Sequence, residues 1–511
     1  MTSPRLGDFD TPAHRDYLET IAQVIAAGPY DDTWESLQDV PVPRWYREGK
    51  FGIFIHWGVF AVPAHCDASF GEMGGGDWYG RKMYLSWTET HRHHVERYGP
   101  VDEHGYEKFI PELTGESFDP DEWMRLFRRA GARFVVPVAE HHDGFAMYDC
   151  SFTPWRASTM GPKRDVLGEL ATAAARQSLS FGASSHRAEN WWFFQGGAGI
   201  DSDVLTPGPT RSLYGPAAPD ALQPDEAFLE DWLIRTAEII DRYRPLLLWF
   251  DWWIEQPAFE PYLRRLAAFY YNRAHEWGRQ VAINYKFDAF APGAAVLDVE
   301  RGQTEGISDR FWQNDTAVSK NSWGFVDGHD YKRPRDLIAD LADVVSKNGA
   351  LLLNVGPDAT GRIPDDEQRI LTEVGDWLHA NGEAIYGTTP WHVAGEGPTR
   401  IVPGTFNDVS RDPYVREDIR FTTARGDLYA IFLGAAGGET VTITSLALGA
   451  PHSLPVERIR SMASAQDVEW RQDHEGVHVT LPDDAAAVPV VRLRFPRDPD
   501  AGRIPPVIEG Q

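Results

Sequence analysis

The sequence predicts an α/β fold, a (β/α)8 TIM-like barrel, followed by a C-terminal all-β sandwich. Eight short and almost entirely apolar segments recur in the first 390 residues, which is typical of strands buried on both faces of a parallel sheet. Amphipathic helical patterns lie between these segments, and such alternation indicates a barrel. After about residue 390 the chain changes to short β-rich segments separated by turn residues.

These observations divide the chain into three parts. We expect residues 1–390 to form the barrel and residues 391–497 to form the sandwich. Residues 498–511 are Pro-rich, and we expect little order in this tail.

The barrel strands are predicted from apolar segments that end in polar residues. In chain order they are 51–58, 134–145, 179–186, 246–253, 281–287, 295–301, 312–318 and 351–357. The seventh segment, WQNDTAV, is the least apolar of the eight. Helices are predicted at 120–132, 164–177, 225–244 and 335–349, with Gly349 as the C-terminal cap of the last one.

The composition excludes several classes of partner. Lys+Arg number 49 and Asp+Glu number 76, so the formal net charge of −27 repels phosphate backbones and anionic membranes. We therefore expect neither nucleic acid nor a membrane as a partner. The two cysteines, Cys66 and Cys150, are too few for a disulfide framework or a cysteine-based zinc site. The N-terminus lacks the apolar core of a signal peptide, so we expect a cytoplasmic protein.

Ionisable side chains recur at the ends of the predicted strands, which is where a barrel carries its chemistry. They are His56, His141, His142, His186, Asp251, Lys286 and Glu300. Packing alone does not explain polar residues at the same end of so many strands, and we expect them to share one site.

Asp251 ends the apolar segment LLLWFDWW, where a carboxylate has to be paired or used. It is either an ion-paired structural residue or a nucleophile, and the neighbouring tryptophans would keep water away from a covalent intermediate. Glycoside hydrolysis needs a second carboxyl group across the scissile bond. Asp298, Glu300 and Glu305 are the candidates. Glu300 fits best, although a salt bridge between Glu300 and Arg301 is an alternative.

The histidines favour sugar binding over metal binding. His141 and His142 are adjacent in a segment expected to be extended, where neighbouring side chains point to opposite faces and cannot easily chelate one metal. Neutral imidazoles that bond sugar hydroxyls explain them better, and His56 is interpreted in the same way. Asp77 and Trp78 lie in a Gly-rich loop and could supply a carboxylate and a stacking ring.

Five segments together carry a resemblance to a known family. GKFGIFIHWG, GARFVVPVAEHHDGFAMYDCSFTPW, GPKRDVLGEL, LLLWFD and KNGALLLNVGPDATGRIP closely resemble the segments that mark α-L-fucosidases of glycoside hydrolase family 29. The likeness extends from about Trp45 to Pro390.

This resemblance implies a retaining exo-glycosidase with a barrel and a sandwich, a small carbohydrate substrate, no metal and no organic cofactor. It places Asp251 as the nucleophile and Glu300 as the acid/base. It also implies that several side chains bind the sugar, and we add two from neighbouring strand ends. The substrate-binding set is His56, Asp77, Trp78, His141, His142, His186, Trp249 and Lys286. Dense negative charge is expected to raise the pKa of Glu300.

The chain also departs from the family pattern at three predicted sugar-binding positions. Asp77 replaces the more usual Glu, and Lys286 stands where many members have Arg, which offers a bidentate fork. His186 ends a strand where many members have Tyr-Tyr-Ser. Another α-L-sugar, such as α-L-galactose or α-L-glucose, is therefore an alternative substrate. A sugar-binding homologue without activity and a metal-dependent hydrolase are further alternatives, and the chain could form oligomers.

Overall fold

The computed structural model describes residues 11–38, 40–67, 74–206, 212–408, 412–483 and 487–499. Eight parallel strands form a closed barrel in chain order, which confirms the predicted fold class. The strands are β1 (Phe51–Ile55), β2 (Phe134–Glu140), β3 (Ser180–Ser185), β4 (Leu247–Phe250), β5 (Ala282–Tyr285), β6 (Val296–Glu300), β7 (Trp312–Ala317) and β8 (Gly349–Val355). The polar segment β7 is a regular strand, and all six of its residues are buried between β6 and β8.

Helices cover only part of the outer face of the barrel. They are α1 (Pro12–Ala27), α2 (Trp34–Leu37), α3 (Arg44–Gly49), α4 (Tyr79–Lys82), α5 (Glu89–Tyr98), α6 (Pro120–Arg129), α7 (Val166–Arg176), α8 (Glu226–Tyr243), α9 (Glu260–Glu276), α10 (Pro334–Ser346) and α11 (Asp365–Asn381). The connections 286–295 and 301–311 contain no helix. The alternation of strand and helix is therefore interrupted after β5 and after β6.

The C-terminal end of α10 differs from the prediction. The helix ends at Ser346, and Asn348 adopts the left-handed backbone conformation with φ 72°. Gly349 is instead the first residue of β8. Asparagine tolerates the left-handed region better than most residues, and it can take the position that glycine usually fills.

Antiparallel strands form two sheets after residue 388. The larger sheet contains β9 (Thr389–Glu396), β10 (Ile419–Ala424), β11 (Asp427–Phe432), β13 (Arg458–Ser461) and β16 (Val490–Arg494). The smaller sheet contains β12 (Thr440–Ile443), β14 (Trp470–Gln472) and β15 (Val477–Thr480). Side chains from both sheets, including Phe421 and Val479, share one hydrophobic core. The predicted Pro-rich tail lies outside the described residues except for 498 and 499.

The barrel interior is filled by apolar side chains from most of the barrel strands. Phe54, Val136, Trp249 and Leu352 belong to one buried cluster inside the strands, as expected for a packed barrel core. The ring of Trp249 at the end of β4 lies 4.8 Å from that of Phe54 and forms part of the floor on which the polar strand ends lie. Among the described helices, none combines the length and apolarity that a bilayer span requires.

Candidate active site

A cavity of about 380 Å³ opens at the C-terminal end of the barrel strands. It is lined by fourteen residues, namely His56, Asp77, Trp78, His141, His142, His186, Trp249, Asp251, Trp252, Phe287, Glu300, Asp315, Trp323 and Phe406. Every predicted site residue except Lys286 is in this lining. The cavity lies where the strand ends of a parallel barrel converge, which is why residues far apart in sequence meet there.

The first histidine is fixed by the barrel itself. His56 directly follows β1, and its backbone N–H donates to the carbonyl of Val355 in β8 at 3.0 Å. The side-chain amide of Asn354 donates to the Trp323 carbonyl at 2.7 Å, so its oxygen accepts from Nδ1 of His56 at 2.7 Å. Burial lowers the pKa of His56. The ring is therefore neutral, with Nε2 available as an acceptor.

The positions of His141 and His142 contradict the expectation that their side chains point to opposite faces of a strand. The strand β2 ends at Glu140, so both histidines lie in the turn that follows it. Their ring centroids are 4.1 Å apart, and both rings line the cavity. The period-two rule does not apply beyond the end of the strand.

His142 also departs from the expected neutral state. Its Nδ1 lies 3.1 Å from a carboxylate oxygen of Glu189, which is fully buried. Burial by itself would lower the pKa of His142, but the charge of Glu189 raises it to about 9. Burial raises the pKa of Glu189 in turn. His142 is therefore protonated at neutral pH.

Asp251 directly follows β4 and is held as a carboxylate by cations and a hydrogen bond. Nδ1 of His186 lies 2.8 Å from Oδ2 of Asp251, and Nζ of Lys286 lies 3.9 Å from Oδ1. Burial favours the neutral acid, but these two neighbours outweigh it and keep the pKa of Asp251 well below its usual range. The carboxylate is thus both paired and open to the cavity, as a nucleophile needs to be.

Glu300 ends β6 and has a different protonation state. Burial raises its pKa to about 8, and the charges of Asp315 and Asp251 act in the same direction. The direction of this pKa shift agrees with the prediction, but desolvation of Glu300 is a larger cause of the shift than the negative charge around it. Its cationic partner is Lys286 at 2.5 Å. Arg301, the predicted alternative partner, instead donates to the carbonyls of residues 319 and 320.

The other two carboxylate candidates lie elsewhere. Glu305 is exposed on the loop after β6 and is absent from the cavity lining. Asp298 is buried below the site, where it accepts a hydrogen bond from the Gln313 amide at 2.7 Å. Of the three candidates, only Glu300 faces the same cavity as Asp251.

Lys286 lies under the cavity instead of in its wall. Its ammonium is within 4 Å of Asp251, Asp298, Glu300 and Asp315, and it lies 4.9 Å from the centre of the Trp249 ring. Burial favours the neutral amine, but these carboxylates raise the pKa of Lys286. The predicted contact with sugar hydroxyls does not fit this position, and the side chain acts as a shared counter-ion.

Four polar atoms of the lining have no hydrogen-bond partner among the described residues. They are Oδ1 of Asp77, Nδ1 of His141, Nε1 of Trp249 and Oδ1 of Asp315, and all four are buried. Unpaired buried polar groups are rare, because each loses its hydration without compensation. A ligand with several hydroxyl groups would supply the missing partners.

The spacing of some lining residues would also permit a metal ion. One group is His56, His141 and His186, and the other is His142, His186 and Asp251, with ligand atoms within 4.8 Å of one another. His186 belongs to both groups. Its Nδ1 contacts Asp251 and its Nε2 lies 3.0 Å from Oγ of Ser184, so a metal at His186 would have to displace one of these hydrogen bonds.

Comparison with known proteins identifies the family. The sequence profile described as alpha-L-fucosidase matches residues 18–383. The chain belongs to the α-L-fucosidase family. The tissue alpha-L-fucosidase of Rattus norvegicus is 28% identical over 473 residues, which cover 90% of each protein. That of Homo sapiens is 27% identical over 472 residues, which cover 89% of this chain and 88% of the relative.

A solved structure supports the same assignment. The crystal structure of Thermotoga maritima alpha-fucosidase matches with a TM-score of 0.72 and 29% identity, covering 91% of this chain and 100% of that one. Membership of the α-L-fucosidase family makes the chain a glycoside hydrolase, which confirms the prediction made from the five motifs.

Sequence reasoning missed five residues of this site. Glu189 and Asp315 are buried carboxylates that act on His142 and on Lys286, and a carboxylate inside an otherwise buried segment was the available signal. Phe287, Trp323 and Phe406 line the cavity from loops. No local pattern distinguishes either phenylalanine from a residue of the core.

Proposed function

We propose that the chain removes terminal α-L-fucosyl residues by a double displacement that retains the configuration of the anomeric carbon. The observation that carries the proposal is the pair of buried carboxyl groups on either side of Lys286. Asp251 is ionised and Glu300 is protonated at neutral pH, and both face one cavity. These are the two states that a nucleophile and a general acid require.

In the first step Asp251 attacks the anomeric carbon while Glu300 donates its proton to the departing oxygen. The product is a glycosyl ester of Asp251. Glu300, now a carboxylate, takes a proton from water, and the resulting hydroxide equivalent cleaves the ester. Two inversions at the same carbon restore its configuration.

The separation of the two carboxyl groups supports retention. Lys286 Nζ lies 3.9 Å from Oδ1 of Asp251 and 2.5 Å from Oε2 of Glu300. The sum of these distances is the upper limit for the gap between the two oxygens, and it falls below the roughly 6.5 Å at which inverting pairs begin. Little room is left for a water molecule between the sugar and Asp251.

The size of the cavity supports an exo-acting enzyme. Its volume of about 380 Å³ is near the lower end of the range of roughly 300–1,000 Å³ for ligand sites, and it suits a single sugar ring. The fucosidase of Thermotoga maritima has been solved in complex with fucose. We therefore assign the cavity to a terminal fucosyl residue.

The test combines turnover with stereochemistry. Wild type and Asp251→Ala are compared on 4-nitrophenyl α-L-fucoside, with Glu305→Ala as the control for an exposed acid. We expect Asp251→Ala to lose at least about a thousandfold in kcat, near 4 kcal/mol of transition-state stabilisation. Proton NMR of the first product should show α-L-fucose. An initial β-anomer would overturn retention, and turnover only of α-L-galactoside or α-L-glucoside would overturn the sugar assignment.

A further inference from the structure

Two phenylalanines at the mouth of the cavity are exposed although they line a site. Phe287 is 53% exposed and follows β5 on the barrel. Phe406 is 40% exposed and lies on the loop that connects β9 and β10, two strands of the larger sandwich sheet. Apolar rings that remain exposed beside a cavity, one from each part of the chain, are surfaces available to a ligand.

Both phenylalanines are held in an unfavourable backbone conformation. Phe287 has φ 58° and Phe406 has φ 54°, in the left-handed region that bulky side chains rarely adopt. Neither side chain gains the burial that would ordinarily compensate for this conformation. Conformations of this kind persist only where the surrounding structure fixes them, and they concentrate at functional sites.

The surrounding structure fixes the loop of Phe406 against the barrel. The backbone N–H of Phe406 donates to the carbonyl of Glu300 at 3.0 Å, and those of residues 407 and 408 donate to the carbonyl of Arg301. Gly302 permits this approach, because a Cβ atom there would lie 1.8 Å from the carbonyl oxygen of Gly404. Oδ2 of Asp408 accepts from Oγ1 of Thr316 in β7 at 2.6 Å.

Both phenylalanines belong to segments that contact the proposed acid/base. Phe406 is hydrogen-bonded through its backbone to Glu300, and Phe287 follows Lys286, which contacts the Glu300 carboxyl group. A general acid protonates the oxygen of the leaving group, so the leaving group has to emerge on its side of the cavity. The two phenylalanines therefore lie on the side of the cavity from which the leaving group has to emerge.

A cleft of about 860 Å³ adjoins the cavity at Phe287, which lines both, and runs along the outer face of β6 and the start of β7. It exists because no helix covers the barrel after β5 or after β6, and the residues of both connections line it. Charged and amide side chains suited to sugar hydroxyls lie along it, including Glu255, Gln256, Asp288 and Arg310. Its volume allows more than one sugar ring beyond the scissile bond.

We propose that Phe287 and Phe406 form a leaving-group site that stacks on a pyranose ring, and that the cleft binds the sugars beyond it. The preferred substrates are then fucosylated oligosaccharides instead of fucosides of small alcohols. This inference rests on the proposed function, since it takes Glu300 as the acid/base. The sandwich contributes a binding residue to the site through Phe406.

The test measures selectivity between two substrates. α-L-Fucosyl fluoride has a leaving group too small to reach either ring, whereas fucosyllactose trisaccharides, α1→2 and α1→3 linked, release lactose. For Phe287→Leu and Phe406→Leu, we expect the ratio of kcat/KM for the better trisaccharide to kcat/KM for the fluoride to fall about tenfold, as for one lost ring contact. Phe287→Tyr and Phe406→Tyr keep the ring and should keep the ratio.

Val402→Ala is the matched control, because Val402 is an exposed apolar residue of the same loop that lines neither the cavity nor the cleft. Equal loss on both substrates in the leucine variants, or no change of the ratio, would overturn the leaving-group site. Turnover of the fluoride without turnover of any trisaccharide would overturn it as well. If the wild type does not hydrolyse α-L-fucosyl fluoride, the result would instead contradict the proposed function itself.

Discussion

The two proposed catalytic carboxyl groups differ in protonation although one cavity buries both. Asp251 accepts a hydrogen bond from His186 and lies near two cationic side chains, Lys286 and His142. Glu300 has one cation and lies beside Asp315, its register partner in β7. At Asp251 the hydrogen bond from His186 and the nearby cations outweigh burial, whereas at Glu300 burial and the charge of Asp315 outweigh the one cation.

This difference predicts the pH dependence of kcat/KM. The pKa of Glu300 is raised to about 8, so the required acid is present below pH 8 and is lost as the pH rises through that value. The pKa of Asp251 is lowered, so the nucleophile stays ionised well into the acid range. We expect kcat/KM for a fucosyl trisaccharide to decline above about pH 8. Glu300→Gln should remove this alkaline limb, and an unchanged limb in that variant would assign it to another group.

Replacing Lys286 should move the acid limb and the alkaline limb of the kcat/KM pH profile in the same direction. Its ammonium lowers the pKa of Asp251 and of Glu300, so Lys286→Met should raise both and shift the whole profile to higher pH by about one unit or more. Lys320→Met is the control, because its ammonium forms a solvent-exposed pair with Asp330 at 3.0 Å. Lys286→Arg keeps the charge and should restore most of the profile. A loss of activity with both limbs unmoved would contradict the role of counter-ion.

At the scale of elements, the site depends on where strands stop. His141 and His142 share a cavity because β2 ends at Glu140, directly before them. His56 is placed by the pairing of β1 with β8. The absence of helices after β5 and β6 leaves the outer face of these strands open, with Leu297 of β6 exposed. Short connections thus create the cleft that a complete (β/α)8 barrel would cover.

The start of β8 offers a test of element packing. A Cβ atom at Gly349 would lie 2.6 Å from Cγ1 of Val344 and 2.9 Å from the ring of Trp312. Gly349→Ala should therefore lower the free energy of unfolding by about 1–3 kcal/mol, as overpacking does. Urea denaturation measures the change. Gly306→Ala is the control, because nothing lies within 4 Å of a Cβ atom there, and an equal loss in both variants would exclude the packing explanation.

At the scale of the whole molecule, a buried ion pair joins the barrel to the sandwich. The carboxylate of Asp343 in α10 lies 2.5 Å from Nε of Arg420 in β10 and 2.8 Å from Nζ of Lys347. All three residues are buried. This contact fixes the sheet that carries the loop of Phe406, so the orientation of the sandwich bears directly on the site.

Removing that charge should destabilise the chain strongly. Asp343→Asn keeps the shape but removes the carboxylate that both buried cations contact, and we expect a loss of about 3–5 kcal/mol in the free energy of unfolding. Asp330→Asn breaks the exposed pair with Lys320 and should cost less than about 1 kcal/mol. Differential scanning calorimetry compares the two variants. Equal and small changes in melting temperature would show that the pair contributes little to the interface.

The sequence by itself determined the barrel, its eight strands and nearly all of the polar residues at their ends. Strand and helix periodicities are local, and parallel strands bring their C-terminal ends together whatever lies between them, so His56, Asp251 and Glu300 could be assigned to one site. The five motifs added the family. Even the cap of α10 was misplaced by only one residue, from Asn348 to Gly349.

Only the tertiary structure decided which charges neighbour each other and what else enters the site. Lys286 lies under the cavity and between the carboxylates because β4, β5, β6 and β7 pair in that order. Phe406 lines the same cavity although it lies more than a hundred residues after Glu300 in the chain, on a loop whose sequence has no distinctive pattern. Burial and charge proximity are properties of packed side chains far apart in sequence, and periodicity carries no record of them.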